Sequence, residues 1–224
     1  MITKLPRWIE YGAFTLALIA GYINAIALLG FEHQAVSHLS GTATLFGIGF
    51  IDSNYDNLLH LFIILISFFL GSSFSGFLLH GSAIKLGRHY DTALTIEAGL
   101  LILAVYLLSK GSLYGHYLTS VACGLQNAFA TTFSGAVVRT THLTGIFTDL
   151  GIMVGRSLRG NELDKRKALL FLLIIIGFIV GASLAAYAFH SLLFSSLMIP
   201  AFMCLLLAII YRIYRFKQMG VMKS

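Results

Sequence analysis

Charge is scarce in this chain: 11% of its 224 residues are Asp, Glu, Lys or Arg, while 58% are hydrophobic. Soluble domains carry about 25% charged residues. A chain this short still exposes much of its surface, so a larger core cannot absorb the shortage. A water-soluble globular domain is therefore excluded. Cysteine is scarce as well. Cys123 and Cys204 both fall in apolar stretches, which excludes a disulfide framework or a CxxC centre and leaves packing as their role. Catalytic signatures are missing: the chain has no HExxH, GxSxG, P-loop or strand-to-helix GxGxxG, and no nucleophile, base and orienter can be grouped. An enzyme is not expected. Eight histidines are present, but none sits in a Cys/His/Asp cluster at ligand spacing, so neither a metal nor a cofactor is expected.

What the chain does have is long apolar runs. Residues 58–80 and 168–190 contain no Lys, Arg, Asp or Glu, and each is long enough to cross about 30 Å of hydrocarbon as a helix. The fold class is all-α and polytopic, a single membrane domain over 1–224 with the lipid bilayer as its partner. The net charge of +6 is read as the basic flanks that orient membrane spans, not as a nucleic-acid surface. Lys4 and Arg7 ahead of Ala25-Ile26-Ala27 formally satisfy a cleavable-leader pattern. However, "GYINAIA" (21–27) returns as "GLQNAFA" (124–130), and a removable leader has no reason to be echoed. The first segment is expected to be a retained span.

That echo is one of three. "SHLSGTATLFG" (37–47) matches "THLTGIFTDLG" (141–151), and "FFLGSSFSGFLLH" (68–80) matches "FIVGASLAAYAFH" (178–190). Three blocks in the same order predict two related halves, about 8–110 and 112–215. Each half reads as a long span with a central Asn (8–30; 114–137), a short Gly-rich segment (38–52; 142–158), a second long span (58–80; 168–190) and a third (91–109; 192–213). Trp8, Tyr11, Tyr90, Tyr114, Tyr211 and Tyr214 fall near span ends, where amphipathic rings prefer the headgroup level.

The short segments decide the topology. At 1.5 Å per residue they fall short of the hydrocarbon thickness. If both dip in and return, the chain has six full spans plus two short Gly-rich re-entrant or broken helices, and the halves are inverted. If both cross, it has eight spans as 4+4 parallel repeats. The six-span arrangement leaves Lys110 alone on the outer side, whereas the eight-span one leaves Lys85, Arg88 and Arg139 there. Lys/Arg asymmetry favours six, with both termini cytoplasmic in either case.

Irregular backbone is tolerated at membrane depth only where protein or a water-filled cavity surrounds it. Inverted repeats with broken helices are a recurring transporter design, with the site near the midplane. Half-helix N-termini suit an anion or a carbonyl oxygen. The candidate substrate-binding set is Asn24, Ser40, Gly41, Thr42, Gln126, Asn127, Thr144 and Gly145. Gly41, Gly47, Gly49, Gly145, Gly151 and Gly155 serve equally well as close-packing positions, and so does Gly177-x-x-x-Gly181-x-x-x-Ala185. An interhelical hydrogen bond is the other role for Asn24 and Asn127. His38 and His142, which open the short segments, and Asp149 are candidates for proton or ion coupling. Arg139 or Arg156 could pair with Asp149. Glu97 is the other acid expected at membrane depth. His80 and His190 end their spans and are expected at the interface.

At "GYINAIALLG" (21–30), "HLSGTATLFG" (38–47), "GLQNA" (124–128) and above all "VVRTTHLTGIFTDLG" (137–151), the chain resembles the YoaK-like family of uncharacterised bacterial inner-membrane proteins. Such proteins often carry Thr-Gly-Asn in the first motif, where this chain has Ser40-Gly41-Thr42 and so lacks the amide at 42. The resemblance implies a compact helical protein of the bacterial inner membrane and supplies no substrate. The expected function is a small-solute transporter or permease for a small molecule or small anion, with homo-oligomers allowed. The alternative is a non-transporting scaffold or subunit of a membrane complex.

Overall fold

The structure is a computed structural model that describes residues 8–30, 33–52, 55–79, 89–134 and 139–221; among these there are helices and no strand. The order is α1 (Trp8–Leu29), α2 (Leu39–Asp52), α3 (Tyr55–Leu78), α4 (Tyr90–Ser109), α5 (Tyr114–Ser134), α6 (Leu143–Leu158), α7 (Lys165–Leu192), a 3-10 segment (Leu193–Leu197) and α8 (Met198–Val221). Each expected span and both short segments are present as helices, displaced by a few residues at most ends. His80, Lys85 and Arg88 lie outside the described residues.

The boundaries follow local chemistry. Asp164 caps α7 by accepting the backbone N–H of Lys167 at 3.0 Å, as an N-cap carboxylate should. α4 and α6 both end on a glycine with positive φ, Gly111 (73°) and Gly160 (90°), which lets the next N–H groups turn back onto the last carbonyls. The last helix starts later than its apolar run suggests. Leu193 adopts a positive φ of 48°, and the chain reverses through the 3-10 segment before α8 begins.

Among the described residues, four segments are long and apolar enough to cross a membrane: Ile9–Leu29, Tyr55–Leu78, Tyr90–Ser109 and Lys165–Phe216. The last is folded back on itself as α7 and α8. α5 is of similar length but more polar, because it packs between α3 and α4 and turns its Ser, Thr and Gln side chains toward protein rather than lipid.

Two close helix crossings organise the bundle. On α1 and α7, a Cβ added at Gly21 would collide with the Phe178 carbonyl, one at Gly181 with that of Leu18, and one at Gly177 with Phe14. On α3 and α5, a Cβ at Gly124 would strike the Phe68 carbonyl and one at Gly71 that of Val121. The Cα–Cβ bond leans toward the helix N-terminus. Each glycine striking a carbonyl three residues before its opposite number therefore means parallel helices, with Gly21 level with Gly181 and Gly71 level with Gly124. The residues of the two crossings occupy matching places in the echoed blocks: Gly21 and Gly124 in the first, Phe68, Gly71, Phe178 and Gly181 in the third.

α1 and α5 run in opposite directions. Gln126 donates to the Leu16 carbonyl near the start of α1, whereas Ser120 meets Val36, whose neighbour Ser37 is bonded to Asn24 near its end. α4 and α8 are also antiparallel: Asp91 pairs with Arg215 at 3.2 Å, Tyr90 meets Tyr211 edge-on, and further along Glu97 faces Cys204. α1, α4 and α7 thus point one way, and α3, α5 and α8 the other. Tyr90, the first residue of α4, is buried against Tyr211, whereas Tyr11 and Tyr114 are exposed.

The expected outcome of adding a methyl follows. Gly21→Ala, Gly71→Ala, Gly124→Ala and Gly181→Ala should each destabilise by about 1–3 kcal/mol through overpacking. Gly151→Ala, which meets open space, should be neutral or stabilising by up to about 1 kcal/mol through helix propensity. Unfolding midpoints of the purified variants in detergent check this contrast.

Candidate functional site

The chain leaving α1 at Leu29 turns back toward the bundle interior before α2 begins. There the Ser37 backbone N–H and hydroxyl both donate to the Asn24 side-chain oxygen, at 3.3 and 2.9 Å. The Ser120 hydroxyl lies within bonding reach of the Val36 carbonyl (3.1 Å) and the Ile64 carbonyl (2.9 Å). Thr42 is buried, with its hydroxyl over the Ala35 carbonyl at 3.3 Å. α2 then starts from this depth and runs antiparallel to α3, placing Gly49 on Leu58 and stacking Phe46 on Phe62. It therefore runs the same way as α1. Asn24 thereby ties α1 to the segment that leads into α2.

The repeated phrase has a local explanation too. The ring of His38 lies over Gly41, and that of His142 over Gly145, so a Cβ at either glycine would strike the imidazole. The His38 and His142 carbonyls accept the first N–H bonds of α2 and α6, from Thr42 and Ile146. Histidine, two residues and then glycine form one compact helix start, written twice.

The second copy is pinned differently. Ala17 stands four residues before Gly21, as Ser120 does before Gly124, and has no hydroxyl to offer. The Asn127 side-chain oxygen and the Thr140 hydroxyl are buried with no hydrogen-bond partner. Gln126 is fully buried; its amide nitrogen donates to the Leu16 carbonyl at 3.1 Å, and its side-chain oxygen is unpartnered.

These residues do not converge on one point. Asn24 and Leu16, the partner of Gln126, are eight residues apart on α1, about 12 Å at helical rise. α6 packs on α7 and brings Ile146 into an apolar cluster with Ala13 and Ala17 of α1 and Leu170 and Ile174 of α7, whereas α2 begins beside Asn24. Ser40, Thr144 and Asp149 are exposed on their helices. Arg166 pairs with Glu10 at 2.9 Å, and neither described ion pair includes Asp149, so the suggested partners Arg139 and Arg156 do not take that role.

A cavity of about 430 Å³ opens between the ends of α1, α4, α5 and α8, lined by residues including Ile9, Leu16, Leu94, Phe129, Leu207 and Tyr211. That volume lies in the range of small-molecule sites. Its deepest lining residues are each one helical turn from a buried polar group: Leu94 from Glu97 on α4, and Leu207 from Cys204 on α8. Leu16 holds Gln126. Beyond this layer the interior closes, with Leu101, Ala104, Ile23 and Ile26 fully or almost fully buried. At the far end His60 and His116 are buried with ring centres 6.0 Å apart, and Tyr117 bonds His60 at 3.0 Å.

Sequence reasoning assigned no role to Ser37, Ser120 or His116, and marked Glu97 only as a deep acid. A lone acid in an apolar span was visible; its neighbours, contributed by α5 and α8, were not.

An all-helical chain with several helices long and apolar enough to span a bilayer, and polar side chains buried between them, is a polytopic membrane protein. It belongs to the family described as protein of unknown function (DUF1275), which it matches over residues 12–210, in agreement with the resemblance to an uncharacterised family. No curated protein and no solved structure matches the chain.

The two asparagines should respond differently. Asn24→Ala strands a buried N–H and hydroxyl and should cost about 1–3 kcal/mol. Asn127→Ala removes an unpartnered oxygen and should change stability by less than about 1 kcal/mol on the same principle. Parallel unfolding curves would measure both.

Proposed function

We propose that the protein is a small-solute transporter or permease of the bacterial inner membrane. In this reading it consists of two related halves of opposite sense, with six spans and with α2 and α6 as re-entrant half-helices. The observation that carries the reading is the cavity: about 430 Å³ between α1, α4, α5 and α8, lined by Leu94 one turn from buried Glu97 and by Leu16, whose carbonyl holds buried Gln126, with packed side chains further along the bundle. A path accessible from one side and closed at the other is what alternating access requires. The opposite helix directions and the twin glycine crossings support inverted halves. The return of residues 35–37 to the level of Asn24 supports a re-entrant α2.

The cavity mouth lies with the start of α1 and the end of α8. The start of α7, with Lys165, Arg166 and Lys167, is on the same side because α7 parallels α1. Basic flanks mark the cytoplasmic face, so the cavity opens inward and both termini are cytoplasmic. Its apolar wall with tyrosines at the rim (Tyr11, Tyr90, Tyr211, Tyr214) favours a small neutral or weakly anionic organic solute over a bare inorganic ion.

A second reading, a scaffold or complex subunit, draws on an exposed stripe of small residues: Ser40, Thr44 and Gly47 on α2, and Thr144, Thr148 and Gly151 on α6. Such stripes admit another helix at close range, in a partner or a second copy.

The test is flux into proteoliposomes for a panel of small neutral metabolites and organic anions. Gly12 borders the cavity and has open space at its Cβ, so Gly12→Trp should fill the mouth without clashing. Flux should fall at least about tenfold, equivalent to about 1.4 kcal/mol in the barrier, while Gly151→Trp on the exposed stripe leaves it unchanged. No flux for any solute, with a co-purifying membrane partner, would favour the scaffold. For topology, cysteines placed at 85 and 88 should label from the cytoplasm and one at 110 from outside; the reverse pattern would require eight spans.

A further inference from the structure

Glu97 lies inside the bundle, on the side of α4 that meets Cys123 of α5 and Cys204 of α8. It is 0% exposed, among the described residues no nitrogen or oxygen group bonds its carboxyl oxygens, which have the Cys204 thiol within reach, and it belongs to neither described ion pair. α4 packs against α5, α8 and the 3-10 segment. From α5 the titratable group acting on Glu97 is the Cys123 thiol, and from α8 the Cys204 thiol. The 3-10 segment, Leu-Phe-Ser-Ser-Leu, has no titratable side chain. Arg212 and Arg215 lie about two turns or more beyond Cys204 on α8, and Arg215 is held by Asp91. His116 sits about two turns before Cys123 on α5. Among the described residues, no cation is therefore placed to balance a carboxylate at this depth.

An uncompensated charge in a membrane interior is expensive, and intramembrane acids are characteristic of proton relays. A carboxylic acid carrying its proton avoids most of that cost. A leucine would avoid it more fully, so packing alone does not account for the glutamate. Its position completes the case: it is one turn along α4 from Leu94, which lines the cavity, and across from Cys204.

We propose that Glu97 is a proton-binding site at the closed end of the cavity. It holds its proton in the conformation described here and releases it when the Leu94–Leu207 floor parts and water reaches the carboxyl. Binding forms one O–H bond at a carboxyl oxygen with a proton taken from hydronium in the cavity, leaving water; release reverses this. Coupling of that proton to solute movement rests on the transport reading. The proton site itself does not.

The test is infrared spectroscopy of the full chain in lipid bilayers, titrated with pH in H2O and D2O. Wild type should show the C=O stretch of a protonated carboxylic acid at neutral pH, shifted in D2O and lost at high pH. Glu97→Gln should lose that band, and Glu97→Asp, which keeps an acid if the Gln variant misfolds, should move it. Absence of the band in wild type, or its persistence in a folded Glu97→Gln protein, overturns the proposal. The native thiol supplies a second readout. With Cys123→Ala as background, labelling of Cys204 by N-ethylmaleimide should step upward at the pH where the band disappears. Glu97→Gln should lose that step and keep only the gradual rise of thiolate chemistry. A step that survives in Glu97→Gln counts against the proposal. Flux without the band would reject the proton site and leave the carrier intact. The band without flux would uphold the site and reject the carrier.

Discussion

Backbone-to-backbone approach at two helix crossings governs this molecule. In a bilayer, lipid tails are as apolar as leucine, so helices are held by close packing and polar contacts rather than by escape from water. Gly21 with Gly181, and Gly71 with Gly124, remove the side chains that would keep the helices apart. They join α1 to α7 and α3 to α5, so the first long helix of each proposed half is clamped to a later helix of the other. Neither half can complete its packing alone. α4 and α8 then close over this interlocked set, and the cavity is the space left where their ends diverge from α1 and α5.

Against that frame the buried polar groups fall into two kinds. Some are tied: Asn24 holds Ser37, Ser120 lies on the Val36 and Ile64 carbonyls, and Thr42 reaches Ala35. These bonds make a non-helical return segment tolerable inside the bundle, since its polar backbone meets partners there. Others have unused capacity: the carboxyl of Glu97 and the side-chain oxygens of Gln126 and Asn127. Groups of the second kind are costly to keep.

The echoed phrases illustrate how far sequence carried and where it stopped. Asn24 and Asn127 occupy the same place in the blocks and invite the same role. In the folded chain one is bonded twice and the other has a free oxygen, in keeping with Ser120 facing the first loop and Ala17 standing at its counterpart. The glycine after each histidine suggested a solute approaching backbone; in the structure the neighbour is the histidine's own ring. α5 carries the Gln and Asn that drew attention, yet its mean hydropathy understates its depth, because its polar face is covered by α3 and α4.

By itself the sequence determined the solvent, the number and approximate ends of the helices, and the two short Gly-rich segments. These follow from composition and from the reach of a helix, both of which are local. Only the tertiary structure decided that α1 meets α7, that Glu97 lies among two thiols with no cation beside it among the described residues, and that Leu94, one turn before it, lines a cavity. Those facts depend on which surfaces fit each other across a hundred or more residues, and complementarity of that kind is a property of pairs of helices that no single stretch of chain contains.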